Sequence, residues 1–168
     1  MHIMTVCLGN ICRSPAAEAV LVRKLTEAGI DGVTVTSAGT ADYHLGKPPF
    51  DLTIAEGEDR GYSFRTVAQQ FAAEHFAEAD LILAMDGANV TNILALAVRP
   101  EDRAKVVRMG AFASDTTDGV LDVPDPWGHP REAFVQMYAQ LEDAADGVVR
   151  AIQDGTIDDI IAAQHESR

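Results

Sequence analysis

The sequence predicts a doubly wound α/β fold, and three observations lead to this prediction. Segments of strand-like character are separated by segments with helical periodicity along most of the chain. Residues 81–85 form an uninterrupted apolar run, which is typical of a central parallel strand covered on both faces. Residues 131–153 repeat apolar side chains at steps of three and four, as a long amphipathic helix does. Alternating strands and helices of this kind build a parallel sheet flanked by helices.

We expect four strands and four helices in alternation. The expected strands lie at residues 2–6, 33–37, 81–85 and 105–109. The expected helices lie at residues 15–28, 50–60, 89–98 and 131–153. Pro100 is expected to stop the third helix, and the long loop at 113–130 is of a length that is usually functional. The tail with Ile157, Ile160 and Ile161 is either a short helix docked on the domain or a contact surface.

Length and composition favour one domain over residues 1–168, with 155–168 as a C-terminal tail. The net charge of −13 argues against a nucleic-acid partner, whose phosphates would be repelled. Apolar runs are far shorter than the roughly 20 residues of a membrane span, so no membrane association is expected. Two cysteines separated by four residues do not build a zinc site, so neither metal nor cofactor is expected. The expected compartment is the cytoplasm, where thiols stay reduced.

The first strand runs directly into a segment that we call the phosphate loop, residues 7–14, which is followed by Pro15. Gly9 and Asn10 tolerate positive φ, so the loop can curl with its backbone N–H groups pointing inward. Ser14 is expected to cap the following helix, whose N-terminus would then also face the centre of the loop. Arg13 offers two parallel donors to two oxygens of a phosphoryl group. The loop therefore predicts binding of a tetrahedral oxyanion such as inorganic phosphate.

Cys7 is the expected nucleophile at the base of this loop. A helix N-terminus and a neighbouring cation favour the thiolate form of a cysteine, and the Ser14 hydroxyl can add a hydrogen bond. Attack on a phosphate ester expels an alkoxide or phenoxide that needs a proton, and we expect Asp125, between two prolines, to donate it. Asp122 is the alternative carboxylate. The alternative for Cys7 is packing in the core, and for the segment after Asp125 a simple turn.

The phosphate loop resembles that of the low-molecular-weight protein tyrosine phosphatases, and segments 37–40, 80–86 and 125–127 resemble further motifs in that family's order. The resemblance covers about residues 2–153. It implies a four-stranded parallel sheet of flavodoxin-like order 2-1-3-4 in a three-layer sandwich, with Cys7 at the switch point between strands one and three. It also implies metal-free hydrolysis of phosphotyrosine in proteins through a phosphocysteine.

The resemblance further implies that the phosphate is held by the loop residues Leu8, Gly9, Asn10, Ile11, Cys12, Arg13 and Ser14. Cys12 would form a reversible disulfide with Cys7 that protects the nucleophile, the alternative being a packing role.

Around the loop, Tyr43 and Trp127 match the positions of flat walls for the substrate ring, with Ile11 as an apolar neighbour; on their own both aromatics would be packing residues. Asn10, Ser14 and Asp86 would support the loop by hydrogen bonds, and Asp86 is equally a candidate N-cap of the helix expected at 89–98.

Three other functions compete with a tyrosine phosphatase. Gly128 follows Trp127 directly, a short form that also occurs in the related protein arginine phosphatases; those carry Thr where this chain has Ile11, which points back to tyrosine. Arsenate reductases use the same loop but relay oxidation through later cysteines, and none follows Cys12. A non-enzymatic phosphate-binding module predicts loss of Cys7, Arg13 or Asp125, and all three are present.

Overall fold

The computed structural model describes residues 1–166, and its centre is a sheet of four parallel strands. The strands are β1 (His2–Cys7), β2 (Thr34–Gly39), β3 (Leu81–Ala84) and β4 (Val106–Arg108). Their order is β2-β1-β3-β4, which confirms the predicted topology. In this register Cys7 lies opposite Gly39 of β2, and Val6 lies opposite Ala84 of β3. The carboxyl end of β1 therefore opens between its two neighbours, where ligands bind in such sheets.

Seven helices accompany the strands in the described part of the chain. They are α1 (Arg13–Glu27), α2 (Asp51–Asp59), α3 (His75–Glu78), α4 (Gly87–Leu94), α5 (Pro100–Ala104), α6 (Arg131–Asp154) and α7 (Ile157–Glu166). A short 3₁₀ turn at Met109–Phe112 follows β4 directly.

Each face of the sheet carries its own apolar core. Ile3 and Leu83 point into one core, where α1 and α6 contribute Leu21 and Tyr138. Met4 points into the other core, together with side chains of α3 and α4. This alternation follows from the two-residue period of a strand, which sends successive side chains to opposite faces. The two cores confirm the expected three layers.

The first helix begins differently from the prediction. It starts at Arg13 with Cys12 in the N-cap position, so the expectation that Ser14 caps the helix is wrong. The reason is that the Ser14 hydroxyl is turned toward the phosphate loop, where it lies 3.1 Å from Cys7 Sγ and accepts from Asn10 Nδ2 at 2.8 Å. Pro15 is tolerated because it still lies in the first turn, where its missing N–H costs no helical bond.

The middle of the chain also departs from the prediction. The third expected helix is α4, which begins two residues earlier than predicted and ends at Leu94 instead of residue 98. Pro100 begins α5 instead of merely stopping its predecessor, as proline commonly does at the first helical position. Neither α3, with four residues, nor α5, with five, is long enough to show a helical period in the sequence.

The C-terminal tail forms α7, and its three isoleucines are partly buried against the core that contains α6. The structure therefore selects the docked helix among the two expected alternatives; residues 167–168 lie outside the described part. In residues 1–166 there is no helix of the length and apolar character that crossing a membrane requires. The assignment of 1–168 to one domain stays a prediction.

Gly147 is the point where α6 touches the turn after β4. A Cβ at this position would overlap the carbonyl oxygen of Phe112. Gly147→Ala is therefore expected to lower the free energy of unfolding by about 3 kcal/mol, although alanine is the better helix former. Denaturant unfolding monitored by circular dichroism measures the change. The matched control is Gly87→Ala in α4, where a Cβ meets no atom within 4 Å; its stability should be unchanged or raised by up to about 1 kcal/mol. Equal effects of the two substitutions would contradict the prediction.

Candidate active site

The phosphate loop is held in its curled form by Asn10. Its backbone has φ of 55°, and no other non-glycine residue in the described part of the chain has a positive φ. The buried side chain compensates for this conformation with three hydrogen bonds. Its Nδ2 donates to Ser14 Oγ at 2.8 Å and to Ser37 Oγ at 3.0 Å, and its Oδ1 accepts from the Gln69 N–H at 3.0 Å. Hydrogen bonds to three separate segments thus offset the energetic cost of the left-handed conformation.

Backbone carbonyls of the loop are turned outward. The Cys7 and Leu8 carbonyls accept from the N–H groups of residues 40 and 41 at 2.9 Å, and the Ile11 carbonyl accepts from the Phe50 N–H at 2.8 Å. Gly39 allows this close approach of β2, because a Cβ there would lie 2.7 Å from the Leu8 carbonyl oxygen. Outward carbonyls leave the N–H groups of a loop facing a common centre, which is the arrangement that binds an anion.

Cys7 ends β1 at the base of this loop and is 3% exposed. Its Sγ lies 3.1 Å from Ser14 Oγ, and either atom can be the donor. The same hydroxyl lies 3.2 Å from the Ala38 carbonyl oxygen, to which it can donate instead. A hydroxyl has one proton to donate, so Ser14 can serve the carbonyl while Cys7 is a thiol and serve the sulfur when Cys7 is a thiolate.

Arg13 is 2% exposed, and its guanidinium connects three parts of the fold. Nη1 donates to Asp86 Oδ2 at 2.5 Å and to the Val123 carbonyl oxygen at 3.0 Å, while Nη2 lies 3.7 Å from Asp125 Oδ2. The other oxygen of Asp86 accepts from the Asn89 N–H at 2.7 Å, so Asp86 both pairs with Arg13 and caps α4. Asp86 therefore makes both of the contacts expected from the sequence, a hydrogen bond to the phosphate loop and the N-cap of a helix.

Asp125 lies in what we call the acid segment, residues 122–128. Its side chain is 42% exposed, lines the same pocket as Cys7, and accepts from the Trp127 N–H at 3.1 Å. The segment is tied to the end of β3, because the Val123 N–H donates to the Met85 carbonyl at 2.8 Å. Asp122 instead pairs with Arg108 at 3.2 Å, away from the pocket. Of the two carboxylates considered, only Asp125 shares the pocket with Cys7.

Between the phosphate loop and the acid segment lies a pocket of about 180 Å³. It is lined by Cys7, Leu8, Gly9, Ile11, Cys12, Arg13, Tyr43, His44, Asp125 and Trp127. Tyr43 is 68% exposed and Trp127 is 49% exposed, so the mouth is aromatic while the base is polar. A pocket of this form suits a flat ring that carries an anionic group at its inner end. In residues 1–166, no three His, Cys, Asp or Glu side chains are grouped so as to hold a metal ion.

The sequence analysis missed two aromatic side chains, one that lines this pocket and one that contacts Trp127. The His44 ring contacts the rings of Tyr43 and Trp127, with centroid distances of 6.4 Å and 5.5 Å, and a Cβ on Gly9 would lie 3.0 Å from it. Its position next to Tyr43 in a turn-rich loop was the available signal. The Phe50 ring lies behind Trp127 at 4.7 Å; the sequence analysis assigned Phe50 to the start of a helix, and nothing local indicated this contact.

Cys12 lines the pocket but is only 4% exposed, and both cysteines are free thiols. Burial, with smaller contributions from the negative charges of Cys7 and Asp125, raises the pKa of Cys12 to about 12, against a hydrogen bond with Thr53 and the charge of Arg13. At neutral pH Cys12 is therefore a protonated thiol and does not compete with Cys7 as the nucleophile toward phosphorus.

A family profile described as low molecular weight phosphotyrosine protein phosphatase matches residues 2–156. A low molecular weight protein-tyrosine-phosphatase of Streptomyces coelicolor is 36% identical over 150 residues, which cover 89% of this chain and 92% of the relative. The crystal structure of a protein tyrosine phosphatase from Entamoeba histolytica with Hepes in its active site has a TM-score of 0.87 at 32% identity, covering 94% of this chain and 99% of that one. Vibrio vulnificus Wzb in complex with benzylphosphonate has a TM-score of 0.77 at 31% identity, covering 89% and 97%.

The matched region runs from β1 through the end of α6 and includes every residue that lines the pocket. The match also covers nearly the whole length of the relatives, and the fold agrees with that of the Entamoeba histolytica structure. By this extent of similarity, the chain belongs to the low molecular weight phosphotyrosine protein phosphatase family.

Proposed function

We propose that this chain hydrolyses phosphotyrosine in proteins through a phosphocysteine intermediate on Cys7. The observation that carries the proposal is the pocket itself, in which Cys7, Arg13 and Asp125 meet below two exposed aromatic side chains. A thiol at the base and a carboxyl at the side are the groups that a two-step displacement at phosphorus needs. We assign the reaction to the cytoplasm, because a catalytic thiol requires a compartment that keeps thiols reduced.

In the first step the Cys7 thiolate attacks phosphorus, an S–P bond forms, and the bond from phosphorus to the tyrosyl oxygen breaks. The loop N–H groups and Arg13 hold the three non-bridging oxygens, where negative charge is concentrated. Asp125 in its protonated form gives its proton to the departing phenolate. Tyrosine leaves, and the phosphate remains on sulfur as phosphocysteine.

In the second step a water molecule attacks phosphorus while the Asp125 carboxylate takes its proton. The S–P bond breaks and inorganic phosphate is released. The electron pair returns to Cys7 sulfur, and the Ser14 hydroxyl, 3.1 Å away, stabilises that thiolate by donating to it. Asp125 then carries the proton for the next first step, so the cycle is closed without a metal or a redox partner.

The substrate class follows from the depth and walls of the pocket. A phosphate on a flat ring reaches Cys7 while the ring lies between Tyr43 and Trp127. Ile11 offers an apolar contact at the inner end, which suits a phenyl ring better than a guanidinium. The short acid segment, in which Gly128 turns the chain with φ of 79°, is the observation that favours a protein arginine phosphatase as the second candidate.

The deciding experiment measures phosphate release from two peptides of equal sequence, one carrying phosphotyrosine and one phosphoarginine, under reducing conditions with Cys7→Ser as the blank. Faster release from phosphotyrosine supports the proposal and gives Ile11 its role in specificity. Faster release from phosphoarginine would replace it with the second candidate. Release from neither peptide would leave a phosphate-binding module as the function.

We further propose that Cys12 protects Cys7 from irreversible oxidation. Peroxide oxidises the Cys7 thiolate to a sulfenic acid, and the Cys12 thiol condenses with it to a disulfide and releases water. After a peroxide pulse and dithiothreitol, the wild type should regain most of its activity, whereas Cys12→Ser should regain several-fold less because its sulfenic acid proceeds to the sulfinic acid. Each recovery is expressed relative to the untreated sample of the same variant. Equal recovery by both proteins would refute the protective disulfide.

A further inference from the structure

Phe50 lies where the phosphate loop, the acid segment and α6 meet. Its backbone N–H donates to the Ile11 carbonyl of the phosphate loop at 2.8 Å. Its ring lies 4.7 Å from the Trp127 ring of the acid segment, at an interplanar angle of 60°. The same ring lies 5.9 Å from that of Phe134, which is fully buried in α6. One residue thus contacts both functional segments and the rigid core.

Trp127 depends on such contacts for its position. Half of its surface is exposed, and its ring contacts those of Phe50, at 4.7 Å, and His44, at 5.5 Å. Its backbone N–H donates to Asp125 Oδ1 at 3.1 Å, which fixes one carboxyl oxygen with respect to the Trp127 backbone. Because a single residue separates Asp125 from Trp127, a shift of the indole moves the carboxyl with it.

We propose that Phe50 is a positioning residue, which holds Trp127 so that the carboxyl of Asp125 faces the leaving-group oxygen above Cys7. The inference rests on the acid role of Asp125 in the proposed function. The backbone of Phe50 contacts the phosphate loop at Ile11, and its ring contacts the acid segment at Trp127. Phe50 therefore links the segment that carries the nucleophile to the segment that carries the acid, and it touches neither substrate nor the reacting atoms.

The two contacts of Phe50 can be separated by substitution. The hydrogen bond to Ile11 comes from the backbone and survives a change of side chain, so Phe50→Leu should leave the phosphate loop intact. The ring contact with Trp127 is lost, and Asp125 is no longer held at the leaving group. A misplacement of about 1 Å can cost roughly 10²-fold in rate. The loss in kcat/KM should be largest for esters with poor leaving groups, because their departure depends most on the proton from Asp125.

The test compares kcat/KM for p-nitrophenyl phosphate, with a good leaving group, and phenyl phosphate, with a poor one. Phe50→Leu should lose about 10–100-fold on phenyl phosphate but less than about 3-fold on p-nitrophenyl phosphate. Competitive inhibition by inorganic phosphate should stay within about 2-fold of the wild type, because the loop is unchanged. The matched control is Phe76→Leu, the same change at a buried ring in the other core, which should keep the wild-type ratio of the two esters.

If Phe50→Leu leaves the ratio of the two kcat/KM values unchanged, the inference is overturned. Asp125→Asn tests the proposed function separately. A second readout does not depend on activity. Trp127 is the single tryptophan of the chain, so quenching of intrinsic fluorescence by acrylamide reports on this site alone. Phe50→Leu should raise the quenching constant and Phe76→Leu should not. Unchanged quenching in Phe50→Leu would overturn the inference even if the wild type hydrolysed neither ester.

Discussion

Cys7→Ser is expected to abolish phosphate release, with a loss of at least about 10⁴-fold in kcat, while oxyanion binding persists. The serine hydroxyl has nearly the shape of the thiol and keeps its contact with Ser14, so the loop retains its form. It is not ionised at neutral pH, however, and cannot form the phosphocysteine. The loss should be equal for aryl phosphates with good and poor leaving groups, because no ester is attacked at all.

The measurement pairs turnover of p-nitrophenyl phosphate with binding of inorganic phosphate or vanadate, followed through Trp127 fluorescence. Far-UV circular dichroism verifies that the variant is folded. A Cys7→Ser protein that turns over substrate above the buffer blank would exclude the covalent mechanism. If Cys7→Ser loses both anion binding and turnover, the thiol is needed for the structure of the loop and not for attack.

Asp125→Asn is expected to lower kcat/KM for phenyl phosphate by about 10²–10⁴-fold and to affect p-nitrophenyl phosphate far less. The amide oxygen can still accept from the Trp127 N–H, so the acid segment keeps its geometry. What is lost is the proton for the leaving phenolate, and nitrophenolate hardly needs it. The slope of log kcat/KM against leaving-group pKa, over a series of aryl phosphates, measures this difference.

Asp122→Asn provides the matched control, a carboxylate-to-amide change three residues earlier in the same segment. Asp122 pairs with Arg108 at the surface, so its substitution should leave both esters unaffected. An Asp125→Asn protein that loses activity equally across the series would refute the acid role. A leaving-group-dependent loss in Asp122→Asn would move that role to Asp122.

Local chemistry was readable from the sequence, and contacts between distant segments were not. The buried strand β3 shows itself as an apolar run because both of its faces are covered, and Cys7 and Arg13 are close enough in sequence to define one loop. The contact of the Ser14 hydroxyl with Cys7 was expected from the sequence, but its role as N-cap was mispredicted, since an N-cap and an inward-facing side chain share the same sequence pattern. Phe50 reaches Trp127 across more than seventy residues, and no local periodicity encodes such a contact.

The contacts of Arg13 have a consequence for folding while the chain is synthesised on the ribosome. Its partners Asp86 and the Val123 carbonyl follow it by 73 and 110 positions. Arg13 therefore leaves the ribosome well before the residues that bind its guanidinium have been synthesised. β1 likewise pairs with β3 only after some eighty residues have been made, and such long-range pairing forms slowly. A nascent or truncated chain therefore carries the thiol without the assembled site. The contacts that hold Arg13 at the pocket are therefore complete only once the chain has been made as far as Val123.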